Sequence, residues 1–320
     1  MKRIARIVAL GAGVPALVLG GLALHDRAAP RPAPWIAATG LEARFETVDG
    51  RRLRYVRTGA GPAVVLVHGF GSSLYTWKDV IPGLARDHDV VALDMPGFGL
   101  SDQPGDLAVD DLPRAVLGLM DRLGIDRAAL VGNSLGGGTV ALVAAEQPER
   151  VSALVLVDAA GFNLGPADQP RLVGVLMSAA GALVGGLPGK RLVVETALRE
   201  VFHDPAMLTP DRIAEYLHGA TRPGTFASIR SLGRSLRGRR TLVQDALGRV
   251  RAPTLVLWGR EDRWIPLAHA ERFRAAVRGA RLEVIDACGH VPQEEKPELV
   301  LKLLRDFLAR PPGAATAGRG

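Results

Sequence analysis

The 320-residue sequence predicts an α/β protein: a mostly parallel sheet with helices on both faces and a helical cap inserted over one edge. Three observations point there. Short continuous apolar runs such as Ala63–Val67, Ala129–Val131 and Thr254–Trp258 read as strands buried on both faces, as parallel strands are. Helical patterns alternate with these runs, which implies crossover connections in one sheet. Glycine-rich or polar motifs follow the runs, at the carboxyl ends of the strands, where ligands gather in such sheets.

Residues 1–24 open with Lys2, Arg3 and Arg6 and then run apolar from Ile7 to Leu24. A charged start followed by a hydrophobic segment is either a signal peptide or an N-terminal anchor. As a helix the apolar part reaches about 27 Å, just short of a ~30 Å hydrocarbon core. Gly21-Leu22-Ala23 makes a poor cleavage site, so an uncleaved anchor is preferred. The basic flank then predicts an inner-membrane anchor with the remainder of the chain outside the cytoplasm, or a secreted or periplasmic protein if the segment is cleaved. Residues 25–40 are a proline-rich, semi-rigid linker.

From Leu41 the pattern becomes regular. Leu41–Val48 and Leu53–Arg57 flank Asp49-Gly50, a hairpin signal. Ala63–Val67 is a buried strand ending at His68-Gly69-Phe70-Gly71. Leu74–Arg86 is read as a helix, Val90–Leu93 as a strand, and Asp110–Leu123 as a helix leading to the central strand. Leu154–Val157 closes the first part of the core, residues 41–161. Residues 162–249 break the alternation and are assigned to the cap. Its apolar run from Leu172 to Leu187 is too short and glycine-rich for a membrane span; it suits the underside of a lid, a surface that meets lipid, or ordinary cap core. Core residues 250–311 then supply strands Thr254–Trp258 and Leu282–Ile285 and helices Leu267–Val277 and Glu294–Leu308. A tail, 312–320, follows.

Composition narrows the function. The net charge is +7, with acids and bases interspersed through the body and a local basic excess at the N-terminus, around Arg230–Arg251 and in the tail. There is no basic stripe interleaved with aromatics, so a nucleic-acid partner is not expected. One cysteine, Cys288, excludes an intramolecular disulfide and reads as a buried filler. No HExxH, paired Cys/His spacing, Walker loop or strand-following GxGxxG is present, so neither a metal nor a cofactor is expected.

The chemistry centres on Gly132-Asn133-Ser134-Leu135-Gly136, a G-x-S-x-G motif between a strand and a helix. A serine on so sharp a turn has a strained backbone, and neighbours two residues away must lack bulk, which Gly132 and Gly136 satisfy. A serine hydroxyl needs a base and a group that orients the base. Of seven histidines, His290 follows a predicted strand at the same sheet edge and is taken as the base. His68 sits in the loop expected to form the oxyanion hole, where its ring braces the loop with Gly69 and Asn133 nearby. Asp262 is the favoured acid, with Glu261 and Asp158 as rivals. The oxyanion hole is expected from the N–H groups of Leu135, at a helix N-terminus, and Phe70.

The motifs HGFGSS, DMPGFGLSD, GNSLGGG, GREDRWIP and GHVPQEEKPE, in that order over roughly Leu41–Arg310, closely resemble the alpha/beta-hydrolase superfamily, in its esterase and lipase branch with a helical cap. The resemblance implies an eight-stranded sheet, Ser134 as nucleophile, Asp262 as acid and His290 as base. It makes Asp94, Pro96 and Gly97 a turn supporting the oxyanion loop. Serine at 134, rather than aspartate, argues against haloalkane dehalogenases and epoxide hydrolases. GNSLGG also resembles carbon–carbon hydrolases of ring-cleavage pathways, but Val-Pro follows His290 where those enzymes tend to carry tryptophan. The expectation is a serine hydrolase of hydrophobic, lipid-like esters. The alternatives are a carbon–carbon hydrolase and a non-catalytic binding protein on the same fold.

Overall fold

The computed structural model describes residues 35–163, 190–239 and 241–309. Eight strands form one sheet: β1 (Arg44–Val48), β2 (Arg51–Thr58), β3 (Ala63–Val67), β4 (Asp89–Leu93), β5 (Ala128–Asn133), β6 (Val151–Val157), β7 (Thr254–Gly259) and β8 (Arg281–Ile285). Their order is β1-β2-β4-β3-β5-β6-β7-β8. Strands β3 to β8 are mutually parallel, and β2 runs antiparallel to β1 and β4. The β1–β2 turn is Asp49-Gly50, both at positive φ (47° and 76°), as a tight hairpin turn requires.

Alternation within each strand divides the core in two. Val65 and Val67 of β3 and Leu130 of β5 face one layer, while Val64, Leu66 and Val131 face the other. The first layer is covered by α1 (Asp111–Arg122), α2 (Leu135–Glu146) and a later helix carrying Phe273. Helix α2 is apolar on all sides and is buried from Gly136 to Ala145, as befits a helix between sheet and cap. The second layer holds Trp77, Ile81 and Leu84 with Val300 and Leu304 of the last helix.

Between β6 and β7 the chain adds α3 (Lys190–Val201), α4 (Pro210–Ala220) and α5 (Thr225–Arg237), and no strand among the described residues. These are the cap helices. They share a small apolar cluster of Leu198, Val201 and Phe202 with Val291, next to His290. Helices α6 (Ala268–Ala276) and α7 (Pro297–Leu308) complete the core. Residues 1–24 and the apolar run 172–187 lie outside the described residues. Among those described, no helix is long and apolar enough to cross a membrane.

Two expected helices are broken. In place of Leu74–Arg86 there is a 3-10 turn, Leu74–Trp77, and a short helix, Ile81–Leu84. Pro82 has no N–H to carry a helix through this stretch and sits in the first turn of the second piece, where a proline is tolerated. The Asp94 carboxylate accepts the Leu74 N–H at 2.7 Å and pins the start of the segment to the β4 loop. In place of Glu294–Leu308, a turn of helix at Pro292–Glu295 stops before α7. Pro297 forces Lys296 out of helical geometry (φ −133°, ψ 52°). Strand β6 starts three residues earlier than expected, because Val151 pairs with Ala128 across a register shift.

Candidate active site

The carboxyl ends of β3 to β8 bring the site together. Ser134, directly after β5, has φ 53° and ψ −118°, a strained conformation for a non-glycine residue. It is held there by its N–H donating to Val157 O and by its carbonyl accepting from Gly138 and Ala160. A Cβ on Gly132 would stand 2.4 Å from Gly136 O, and one on Gly136 2.4 Å from His68 O. Side chains at either position would force the turn apart, so the glycines are a steric requirement of the serine's placement.

His290 follows β8. Its Nε2 lies 2.9 Å from Ser134 Oγ and its Nδ1 2.7 Å from Asp262 Oδ2, with all three residues buried. Asp262, in the loop after β7, also accepts the N–H groups of Trp264 (2.7 Å) and Ile265 (3.0 Å) on Oδ1. The network assigns the imidazole tautomer: Nδ1–H donates to the carboxylate, leaving Nε2 to accept from the serine. Ser134, His290 and Asp262 therefore form one hydrogen-bonded chain with the imidazole in the middle, although the residues come in the order Ser, Asp, His along the sequence.

The rival acids do other work. Glu261 accepts the Cys288 N–H at 2.9 Å and ties the loop before His290 to the β7 loop. Asp158 stands after β6, fully buried, with Oδ1 accepting the Gly259 N–H at 3.0 Å. Burial, and then the neighbouring Asp262, push its carboxyl well above the usual range. Cys288 is buried and its thiol is likewise pushed up by desolvation, which suits a filler.

The loop after β3 passes beside the serine. A Cβ on Gly69 would lie 3.0 Å from Ser134 Cβ, so the backbone leading to Phe70 packs against the nucleophile. The Phe70 N–H makes no hydrogen bond among the described residues, and that of Leu135 stands in the first turn of α2, where no helix carbonyl reaches it. His68 accepts the Met95 N–H on Nε2 and approaches Gly69 O with Nδ1 at 2.7 Å, so its ring braces two loops. Burial holds it neutral, against the pull of Asp94. Asp94 accepts from Leu74 and Leu100 at 2.7 Å and pairs with Arg54 at 3.3 Å. Asn133 donates to Val157 O and His290 O, joining the serine's strand to the histidine's loop.

Several contributors were not legible from residue patterns. Glu295 accepts the N–H groups of Gly289, His203 and Asp204, fastening the His290 loop to the end of α3. The Trp264 ring lies 5.5 Å from the His290 ring. Beside it is an apolar cavity of about 360 Å³ between the cap helices and the core, lined by Phe70, Val194, Leu198, Val201, Phe226 and Trp264 among others. The only signal these two residues carried in the sequence was their place in motifs, Glu295 in GHVPQEEKPE and Trp264 in GREDRWIP.

Comparison with known proteins agrees with this geometry. A profile of the alpha/beta hydrolase fold matches residues 62–297. The chain is 34% identical over 271 residues to a dihydrolipoyllysine-residue acetyltransferase component of an acetoin cleaving system from Pseudomonas putida, covering 82% of this chain and 68% of that protein. It is 34% identical over 264 residues to a 2-hydroxy-6-oxo-2,4-heptadienoate hydrolase, also from Pseudomonas putida, covering 78% and 90%. A crystal structure of a membrane phospholipase A, described as a bacterial virulence factor, superposes with a TM-score of 0.71 at 28% identity, covering 97% of this chain and 98% of that one. The chain belongs to the alpha/beta-hydrolase fold family and is a hydrolase.

Proposed function

We propose that this hydrolase cleaves hydrophobic carboxylic esters through an acyl-Ser134 intermediate. The observation that carries the reading is the Ser134–His290–Asp262 chain set beside an apolar cavity walled by Phe70 and Trp264. His290 Nε2 takes the serine proton as Oγ attacks the ester carbonyl carbon. Asp262 stabilises the imidazolium and keeps the ring in register. The Phe70 and Leu135 N–H groups receive the oxyanion. The imidazolium then protonates the leaving alcohol, and the same nitrogen activates the water that releases the acid.

The acyl chain is assigned to the cavity. Among the described lining residues one is cationic, Arg222, and its Nη1 already donates to Gly99 O and Ser101 O at 2.9 and 2.8 Å. An apolar wall with its cation so engaged suits a neutral chain better than a carboxylate. The likeness to a membrane phospholipase over 97% of the chain supports a lipid-like ester. The basic start and apolar run of residues 1–24 are the ground for an anchoring role with the catalytic part outside the cytoplasm. Carbon–carbon hydrolysis is the second reading, favoured by the 34% identity to a dienoate hydrolase. A panel of p-nitrophenyl esters of graded acyl length, run beside a ring-fission dienoate, separates the two. Faster turnover of esters, abolished in Ser134→Ala without loss of fold, is expected; turnover of the dienoate alone would refute the ester reading.

A further inference from the structure

The geometry around Asp158 is unusual for a carboxylate. Its side chain is fully buried; Oδ1 accepts from Gly259, and Oδ2 has no hydrogen-bond partner. Its oxygen, an Asp262 oxygen and a His290 nitrogen all lie within 4.8 Å of one another. Two buried carboxyl groups thus face each other beside one imidazole. Two buried carboxyl groups this close, away from water, cannot both ionise without a large cost, so one of them keeps its proton.

Asp262 has room for that proton. A carboxylate offers about four acceptor sites. His290, Trp264 and Ile265 fill three. We infer that Asp158 enters the site as a neutral carboxylic acid whose hydroxyl donates to Asp262, a positioning residue behind the Asp262–His290 pair. The inference rests on the triad reading of the proposed function. Its consequence is mechanical: a fourth donor holds the Asp262 carboxylate in the orientation that receives Nδ1–H, and takes up the lone pair that would otherwise be a buried, unpaired acceptor.

Two further observations agree. Asp158 has φ 44°, and it is one of four non-glycine residues at positive φ among those described; Ser134 and Ala287, close to His290, are two others. Backbone strain at a side chain that merely filled space would have no purpose, whereas strain gathers where geometry is functional. The groups acting on Asp158 from the elements around it are Asp262 from the β7 loop, and Glu295, Cys288 and His290 from the β8 loop and beyond. The carboxylates among them favour retention of the proton.

The full-length enzyme provides the test. At neutral pH, the infrared difference spectrum of wild type against Asp158→Asn should contain a protonated carboxyl C=O band. Its absence would overturn the inference whatever the activity does. Asp158→Asn keeps a donor, an amide N–H, and should hold kcat within about 10-fold of wild type. Asp158→Ala removes it and should lower kcat by ~10- to 100-fold, the cost of a small misplacement, with KM little changed. The acid limb of kcat/KM should stay in place in Asp158→Asn. Were Asp158 a second anion beside the imidazole, that substitution would move the limb down by about one pH unit or more, which also overturns the inference. Ser134→Ala, assayed in parallel, keeps the two readings apart: retained ester turnover there refutes the nucleophile, while the carboxyl band reports on Asp158 independently.

Discussion

The side-chain amide of Asn133, the residue before the serine, donates to the backbone carbonyl of His290 at 3.1 Å, and to Val157 O at 3.2 Å. Base and nucleophile are therefore tied through the backbone of one and the side chain next to the other. Asn133→Ala leaves two buried carbonyls without this donor. It should cost about 1–3 kcal/mol of stability. Loosening of the His290 loop should lower kcat by ~10-fold or more with little change in KM. Parallel denaturation and steady-state kinetics check both, and unchanged kcat in a destabilised variant would make the amide purely structural.

Much of the site was legible in the sequence because its requirements are local. A strained serine needs glycines two residues either side, and a Cβ on Gly132 or Gly136 would meet backbone at 2.4 Å. The buried strands are continuous apolar runs, and the loops that follow carry the polar side chains. What was not legible is long-range. The residue pattern favoured Asp262 as the acid with Glu261 and Asp158 as rivals, and the three-dimensional partner of each is what separates them: His290 Nδ1, Cys288 N and Gly259 N. The anchor of the Leu74–Arg86 segment comes from Asp94, a residue outside any window that would be read with it. The fastening of the His290 loop to the cap by Glu295 joins residues about ninety positions apart.

Ala197 of α3 lines the apolar cavity. Ala197→Trp places an indole in a space of about 360 Å³ and should shift preference toward short acyl chains. Each methylene excluded is worth roughly 1–3 kcal/mol, so kcat/KM for long-chain esters should fall at least ~10-fold relative to acetate esters. Equal losses across the series would place the acyl chain elsewhere.

Arg212 of α4 and Glu294, four residues after His290, face each other at 3.1 Å with side chains 9% and 1% exposed. Thr76 and Tyr216 donate to the same glutamate at 2.6 and 2.5 Å, so the cap, the β8 loop and the segment after the oxyanion loop meet on one carboxylate. Arg212→Met leaves Glu294 buried without its cation and should cost about 3–5 kcal/mol. Equilibrium unfolding measures this, and a loss under ~1 kcal/mol would show that the pair is dispensable.

Glu215, also on α4, gives the stability of the cap a pH dependence of definite sign. Burial, aided by Asp94 and Asp211 and opposed by Arg54, raises its carboxyl from 4.5 to about 7. In the unfolded chain the group ionises near its ordinary value, while the folded protein keeps the proton until about neutrality. The contribution to stability is thus fully present below pH 4.5 and is lost as pH rises through 7. Glu215→Gln stays neutral throughout. Its melting temperature should match wild type at pH 4.5 and exceed it at pH 8, the two curves parting between these values. Melting curves that run parallel across the range would mean that Glu215 ionises alike in both states, with its charge solvated at the cap surface.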